Sequence, residues 1–128
     1  MADADAARDA GTGAALDPDC IFCSIASGAA GVELVHEGER VVVFRDISPA
    51  APVHLLVIPR AHHRTVGDLA AADPQAMVEL VTAARQSAVA EGHDSFRLVF
   101  NTGERAGQSV FHVHGHVLAG RALTWPPG

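Results

Sequence analysis

Phe111-His112-Val113-His114-Gly115-His116-Val117-Leu118 alternates histidine with small or apolar residues. A strand presents residues i, i+2 and i+4 on one face. Read within a strand over Val110–Leu118, the stretch aligns His112, His114 and His116 in one row. Val113, Gly115 and Val117 fall on the other side. Three imidazoles in line lose hydration with no packing gain, so the row reads as chemistry. Two chemistries fit it. An H-x-H pair chelates one metal in many hydrolases; alternatively, one imidazole attacks while its neighbours hold and polarise the target. The flanks favour the second. The last acid before the row is Glu104 and none follows it. Ala106-Gly107-Gln108-Ser109, just before the row, offers successive amides and a hydroxyl, which cradle an oxyanion without a metal.

The surrounding chain reads as alternating short elements. Cys20–Ser27 has apolar residues at Ile21, Phe22 and Ile25 and suits a short helix ended by Gly28. Glu33–His36, Gly38 and Val41–Phe44 read as strand, turn and strand. Ile47–Pro52 is a loop. Leu55–Ile58, fenced by Pro52 and Pro59, is a strand. Asp73 suits an N-cap and Pro74 the first position of a long helix. That helix would bury Met77, Leu80, Val81, Ala84 and Ala88 and end at Gly92. Phe96–Asn101 is a strand and Asn101–Ser109 a polar loop. About five strands with one long and one short helix predict an antiparallel α+β domain.

Composition bounds the rest. With 128 residues, 48% of them hydrophobic, the chain has material for one core and is not a disordered polymer. Net charge is −6, and all nine basic residues are Arg. No basic run is present, so nucleic acid and anionic membranes are poor partners. Residues 1–17 hold almost no large apolar side chain and read as a flexible tail, with the domain over residues 18–128. No apolar stretch is long enough to span a bilayer, and no secretory signal is evident, so the expected location is cytoplasmic. In a reducing compartment the Cys20-x-x-Cys23 pair reads as metal or redox chemistry before a disulfide. His63 and His93 have no motif partner and read as surface residues.

The row resembles the histidine triad signature, H-φ-H-φ-H-φ-φ with φ apolar. The likeness runs from Cys20 to the C-terminus. It includes Asp46-Ile47-Ser48-Pro49, Pro52–Pro59, Asn101, Gly107-Gln108-Ser109 and the closing Trp125-Pro126-Pro127-Gly128, which point to the Hint branch, the nucleoside phosphoramidases. Gly115 departs from the pattern, where the family has an apolar residue; the expectation is a packing gap. Arg60 stands where Lys is common.

The resemblance implies cleavage of a P–N or related bond at the α-phosphate of AMP or GMP derivatives. His114 would attack phosphorus and carry the nucleotide covalently. His116, Ser109 and the amides of Gly107–Ser109 would hold the phosphoryl oxygens, with Gln108 and Asn101 lining the site. His54 would pack behind the triad. Asp46 would accept the ribose hydroxyls, and Ile21, Phe22, Ile25, Phe44 and Ile47 would clamp the base. The resemblance also implies a homodimer in which the last strands join into one ten-stranded sheet and Trp125 reaches the partner's site.

One subgroup of the family uses a C-x-x-C as half of a zinc site. The matching ligands here are Cys20, Cys23, His62 and His112, a closed and hence structural set; no metal is required at the phosphate. Two further readings stand beside the enzyme. One is a nucleotide-binding regulatory or scaffold protein with incidental catalysis, separated by turnover of an adenosine 5′-phosphoramidate. The other is a metal hydrolase ligated by the row itself, separated by its response to chelator.

Overall fold

The computed structural model describes residues 16–128. The tail expected over residues 1–17 lies outside them except for its last two. The strands are β1 (His36–Glu37), β2 (Val41–Arg45), β3 (Val53–Pro59), β4 (Arg97–Phe100) and β5 (Gly115–Ala119). They form one antiparallel sheet in the order β1-β2-β3-β5-β4. The helices are α1 (Ile21–Ala26), α2 (Val66–Ala72) and α3 (Pro74–Ala90), with a 3-10 turn at Glu104–Ala106. The expected α+β class holds. α2 is an addition to the two helices expected, started by the Thr65 hydroxyl, which accepts from the Asp68 amide at 3.2 Å. No helix among the described residues is long and apolar enough to cross a membrane.

β3 is buried along its whole length because both faces of the sheet are covered. On one face Val41, Val43, Leu55, Val57, Val113 and Val117 pack against Leu80, Ala83, Ala84 and Ala88 of α3. Small alanines let the helix lie close to the strands. The expected α3 face is corrected in one respect: Val81 is 47% exposed, and Ala76, Ala83 and Ser87 are buried in its place. On the opposite face Val42, Phe44, Leu56 and Ile58 pack against Phe22, Ile25 and Ala26 of α1. The period-2 alternation of β2 and β3 thus divides the sheet into a structural face and an α1 face. Cys20 caps α1 by accepting from the Cys23 amide, and Gly28 leaves the helix at φ +86°.

The last strand is shorter than Val110–Leu118. β5 begins at Gly115, opposite Val57. Continuing that register would set Val113 against Pro59, which has no N–H to donate. Each half of the broken step finds another partner. The Pro59 carbonyl accepts from the His112 ring at 2.8 Å, and the Val113 amide donates to the His63 carbonyl at 2.8 Å. β5 is flanked by β3 and β4, so sheet extension through the last strands is confined to the edge strand β4.

Gly115 leaves no packing gap, contrary to expectation. A Cβ there would lie 2.9 Å from Leu98 Cδ1 and 3.0 Å from Phe100 Cε1. The space of the missing side chain is filled from β4. His63 is also corrected: it is 2% exposed, and burial pushes its pKa down.

Candidate active site

The histidine row is built from two backbone states. His116 belongs to β5, while His112 and His114 lie in the irregular segment before it. All three side chains still stand on the α1 side, and Val113 and Val117 enter the opposite core.

Each ring has its proton position fixed by a partner of one polarity. His112 Nε2 donates to the Pro59 carbonyl, which leaves the lone pair on Nδ1. His114 Nδ1 donates to the His112 carbonyl at 2.8 Å, which leaves the lone pair on Nε2. The Ala50 amide donates to His54 Nδ1 at 2.9 Å, so the His54 proton is on Nε2. His54 Nε2 then donates to His116 Nδ1 at 2.9 Å, and neutral His116 carries its proton on Nε2. The site therefore holds one imidazole with an outward lone pair and one with an outward N–H. Burial lowers the pKa of His114, against the pull of the His112 carbonyl; burial also lowers that of His116, helped by His114 and His54.

These rings border a cleft of about 340 Å³. Its walls bring together Ile21, Phe22, Ile25, Phe44, Asp46, Ile47, Ser109, His114 and His116, all anticipated from the sequence. Val32, Arg45, Leu56 and Val110 complete it and were not anticipated; Leu56 could have been, since it faces His116 across the ladder. Phe22 meets His114 edge-on at 5.0 Å between centroids. Asp46 closes an Asx turn through Oδ1, which accepts from the Ser48 amide at 2.8 Å; its Oδ2 is 3.4 Å from His54 Nε2.

Other predicted residues lie elsewhere. Asn101 and His54 line a second cleft of about 390 Å³, which shares His116 with the first and is closed by Arg97, Arg121 and the C-terminal segment. Gln108 is 2% exposed and lines neither cleft. Its Oε1 accepts from the Gly103 amide, and its Nε2 donates to the carbonyls of Arg64 and Val110. It acts on the loop rather than as a wall of the site. Gly107 turns that loop at φ +103°, a conformation favouring glycine. Trp125 is 81% exposed and lines neither cleft.

Cys20, Cys23, His62 and His112 gather their ligand atoms within 4.8 Å of one another and form a candidate metal site. His112 Nδ1 is 3.5 Å from both sulfurs, His62 Nδ1 is 3.3 Å from Cys23 Sγ, and the two nitrogens are 3.2 Å apart. A tetrahedral zinc with ordinary bond lengths needs about 3.6 Å between N and S and about 3.4 Å between two N. The donor set fits. For Cys20, burial acts upward, but the neighbouring His112 and His62 imidazoles act downward and prevail, bringing it to about 5. Burial pushes Cys23 up to about 11, reinforced by Cys20.

Asp46, His54 and His116 also converge within metal-ligand distance of one another. There the tautomer decides against an ion, because the Ala50 amide keeps the proton on His54 Nε2, the atom a metal would need.

Residues 29–123 match the family model of the HIT domain. The chain belongs to the HIT family. It is 40% identical over 107 residues to the purine nucleoside phosphoramidase of Escherichia coli K12, covering 82% of this chain and 90% of that one. Among solved HIT structures, a HIT family hydrolase from Legionella pneumophila superposes with a TM-score of 0.81 at 43% identity, covering 86% of this chain and all of the other. A HIT family hydrolase from Clostridium thermocellum gives 0.80 at 36% identity, covering 84% and 96%. With relatives of this kind, the HIT chain is an enzyme of the hydrolase class.

Proposed function

We propose that this HIT protein is a nucleoside phosphoramidase that cleaves the P–N or a related bond at the α-phosphate of purine nucleotides. The observation that carries the reading is the outward lone pair on His114 Nε2, at the floor of a cleft with an apolar end and a carboxylate. The base lies between Ile21, Phe22, Ile25, Phe44 and Ile47, the ribose against Asp46, and the phosphate beside Ser109, His114 and His116. Neutral His114 attacks phosphorus through Nε2, forming an N–P bond as the bond to the leaving amine breaks. His116 Nε2–H faces the same phosphate and is the proton donor in reach of the departing nitrogen. Water then attacks phosphorus, giving its proton back to His116 Nε2 as the N–P bond breaks, which releases the nucleotide and leaves both rings neutral again. The likeness to an enzyme named purine nucleoside phosphoramidase supports the purine assignment.

The donor set and spacing of the cysteine cluster favour zinc, held by Cys20, Cys23, His62 and His112. Zinc there would supply a tetrahedral cross-link between α1, the segment after β3 and the segment before β5. A homodimer extended through β4, with Trp125 offered to the partner's cleft, is the reading of that exposed tryptophan, and the reducing cytoplasm suits the free thiols. The deciding test is adenosine 5′-phosphoramidate: the protein should release AMP and ammonia. Binding without turnover would leave a scaffold instead.

A further inference from the structure

α1 has only six residues, too few to be stable alone. It nevertheless supplies Ile21, Phe22 and Ile25 to the cleft. Its apolar face rests on Phe44, Leu56 and Ile58, but apolar contact is non-directional and leaves a short helix free to slide or turn. Directional fastenings exist at both ends. At the start, Cys20 and Cys23 hold to His62 and His112. At the finish, the Arg60 guanidinium donates through Nη1 to the Ala26 carbonyl at 2.9 Å. Through Nε and Nη2 it donates to the Gly38 carbonyl at 3.1 and 3.0 Å. Arg60 thus ties the last residue of α1 to the β1–β2 turn with a planar, multidentate group.

We infer that Arg60 and the Cys20/Cys23/His62/His112 cluster are positioning residues for recognition of the nucleobase, because together they pin both ends of the helix that forms the base wall. They govern affinity for the base and leave the phosphate site alone: His116 takes its orientation from His54, and His112, whose carbonyl orients His114, is held by the Pro59 carbonyl through Nε2 independently of the cluster. The inference rests on the cleft being the nucleotide site, and its cluster arm rests on zinc filling the cluster.

The test is calorimetric titration of the full chain with AMP and with ribose 5-phosphate, which lacks the base. Arg60→Met keeps an apolar stem and loses the three bonds. It should raise the Kd for AMP about tenfold and leave that for ribose 5-phosphate within about twofold, with metal content unchanged. Arg60→Lys should fall between. Stripping the wild type with a chelator should produce the same split, and adding zinc should reverse it. With adenosine 5′-phosphoramidate, Arg60→Met should raise KM and hold kcat. An AMP affinity unmoved in either arm overturns the inference, as does an equal loss for both ligands, which marks general loosening. Wild-type protein that binds no AMP overturns the nucleotide reading itself, a failure visible before any variant is made.

Discussion

His54 Nε2 lies 2.9 Å from His116 Nδ1, and the direction of that hydrogen bond is set four residues before His54, where the Ala50 amide donates to His54 Nδ1. A backbone N–H cannot reverse its polarity, so the order runs one way to His116 Nε2. The pair is diagonal on the sheet: Leu56 faces His116, and His54 faces Leu118. Two residues 62 apart in sequence thereby present one N–H to the cleft without a metal.

The pH dependence follows from those neutral rings. Burial holds His114 and His116 below the ordinary histidine value of 6.5. The phosphoramidase rate should therefore stay level as pH falls to about 6.5 and decline only below it, as the attacking lone pair is protonated. Stability moves the same way. Below pH 6.5 the unfolded chain takes up protons that the folded rings refuse, so stability is lost from about that pH down to the depressed folded values. A pH–rate profile whose acid limb is centred above 6.5 would contradict this.

On the proposed mechanism, His114→Ala removes the attacking lone pair, which the His112 carbonyl fixes on Nε2. Turnover should fall below about 1% of wild type while AMP binding stays within about tenfold. Rapid quenching of wild type with labelled substrate should leave label on the protein that survives alkali and departs in acid, as a P–N bond to histidine does. Label that survives acid would move the nucleophile elsewhere.

If Asp46 holds the ribose as proposed, Asp46→Asn should weaken AMP by about 1–2 kcal/mol, because charge-assisted bonds to the hydroxyls would become neutral ones. The substitution can keep the Asx turn, since Oδ1 still accepts from Ser48. A 2′,3′-dideoxy nucleotide should barely register it. Equal losses for both ligands would show that Asp46 acts through its loop.

The site was legible in the sequence wherever period-2 alternation and turn residues settle the local geometry. The histidine row, the Pro-fenced strand and the Asp73-Pro74 helix start are of that kind. What escaped was decided by distant contacts. The break in the ladder before Gly115 comes from Pro59, 56 residues earlier in the sequence and brought next to this segment only by the pairing of β3 with β5. His63, buried in the fold, is tied through its carbonyl to the amide of Val113, a contact between segments distant in the sequence. α2 contains Gly67, a poor helix former, and owes its start to Thr65. Val81 points outward because alanines occupy the face that reaches the sheet.

Gly115→Ala tests the packing directly. The added carbon would meet Leu98 and Phe100 at 2.9–3.1 Å, so the substitution should destabilise by about 1–3 kcal/mol through overpacking. Pairing it with Leu98→Ala, which clears one neighbour, should give a double variant less damaged than the sum of the two. Chemical denaturation measures both. Strict additivity would mean that Leu98 does not occupy the space of the missing side chain.

The zinc reading makes a prediction independent of turnover. Cys20 and Cys23 reach His62 and His112 across 39 to 92 residues of sequence, so an ion there closes long loops between α1, the segment after β3 and the segment before β5. Metal that binds only the folded chain adds its binding energy to folding. Protein purified without chelator should carry one zinc per chain by elemental analysis. Cys20→Ser combined with Cys23→Ser should lose that zinc and melt at lower temperature. Its kcat per folded molecule should fall only modestly, because the proton positions of His114 and His116 are set by the His112 carbonyl and by His54. Less than about 0.2 zinc per chain in reduced protein would reduce the cluster to packed thiols and imidazoles, and loss of kcat in step with zinc would place the metal in the chemistry.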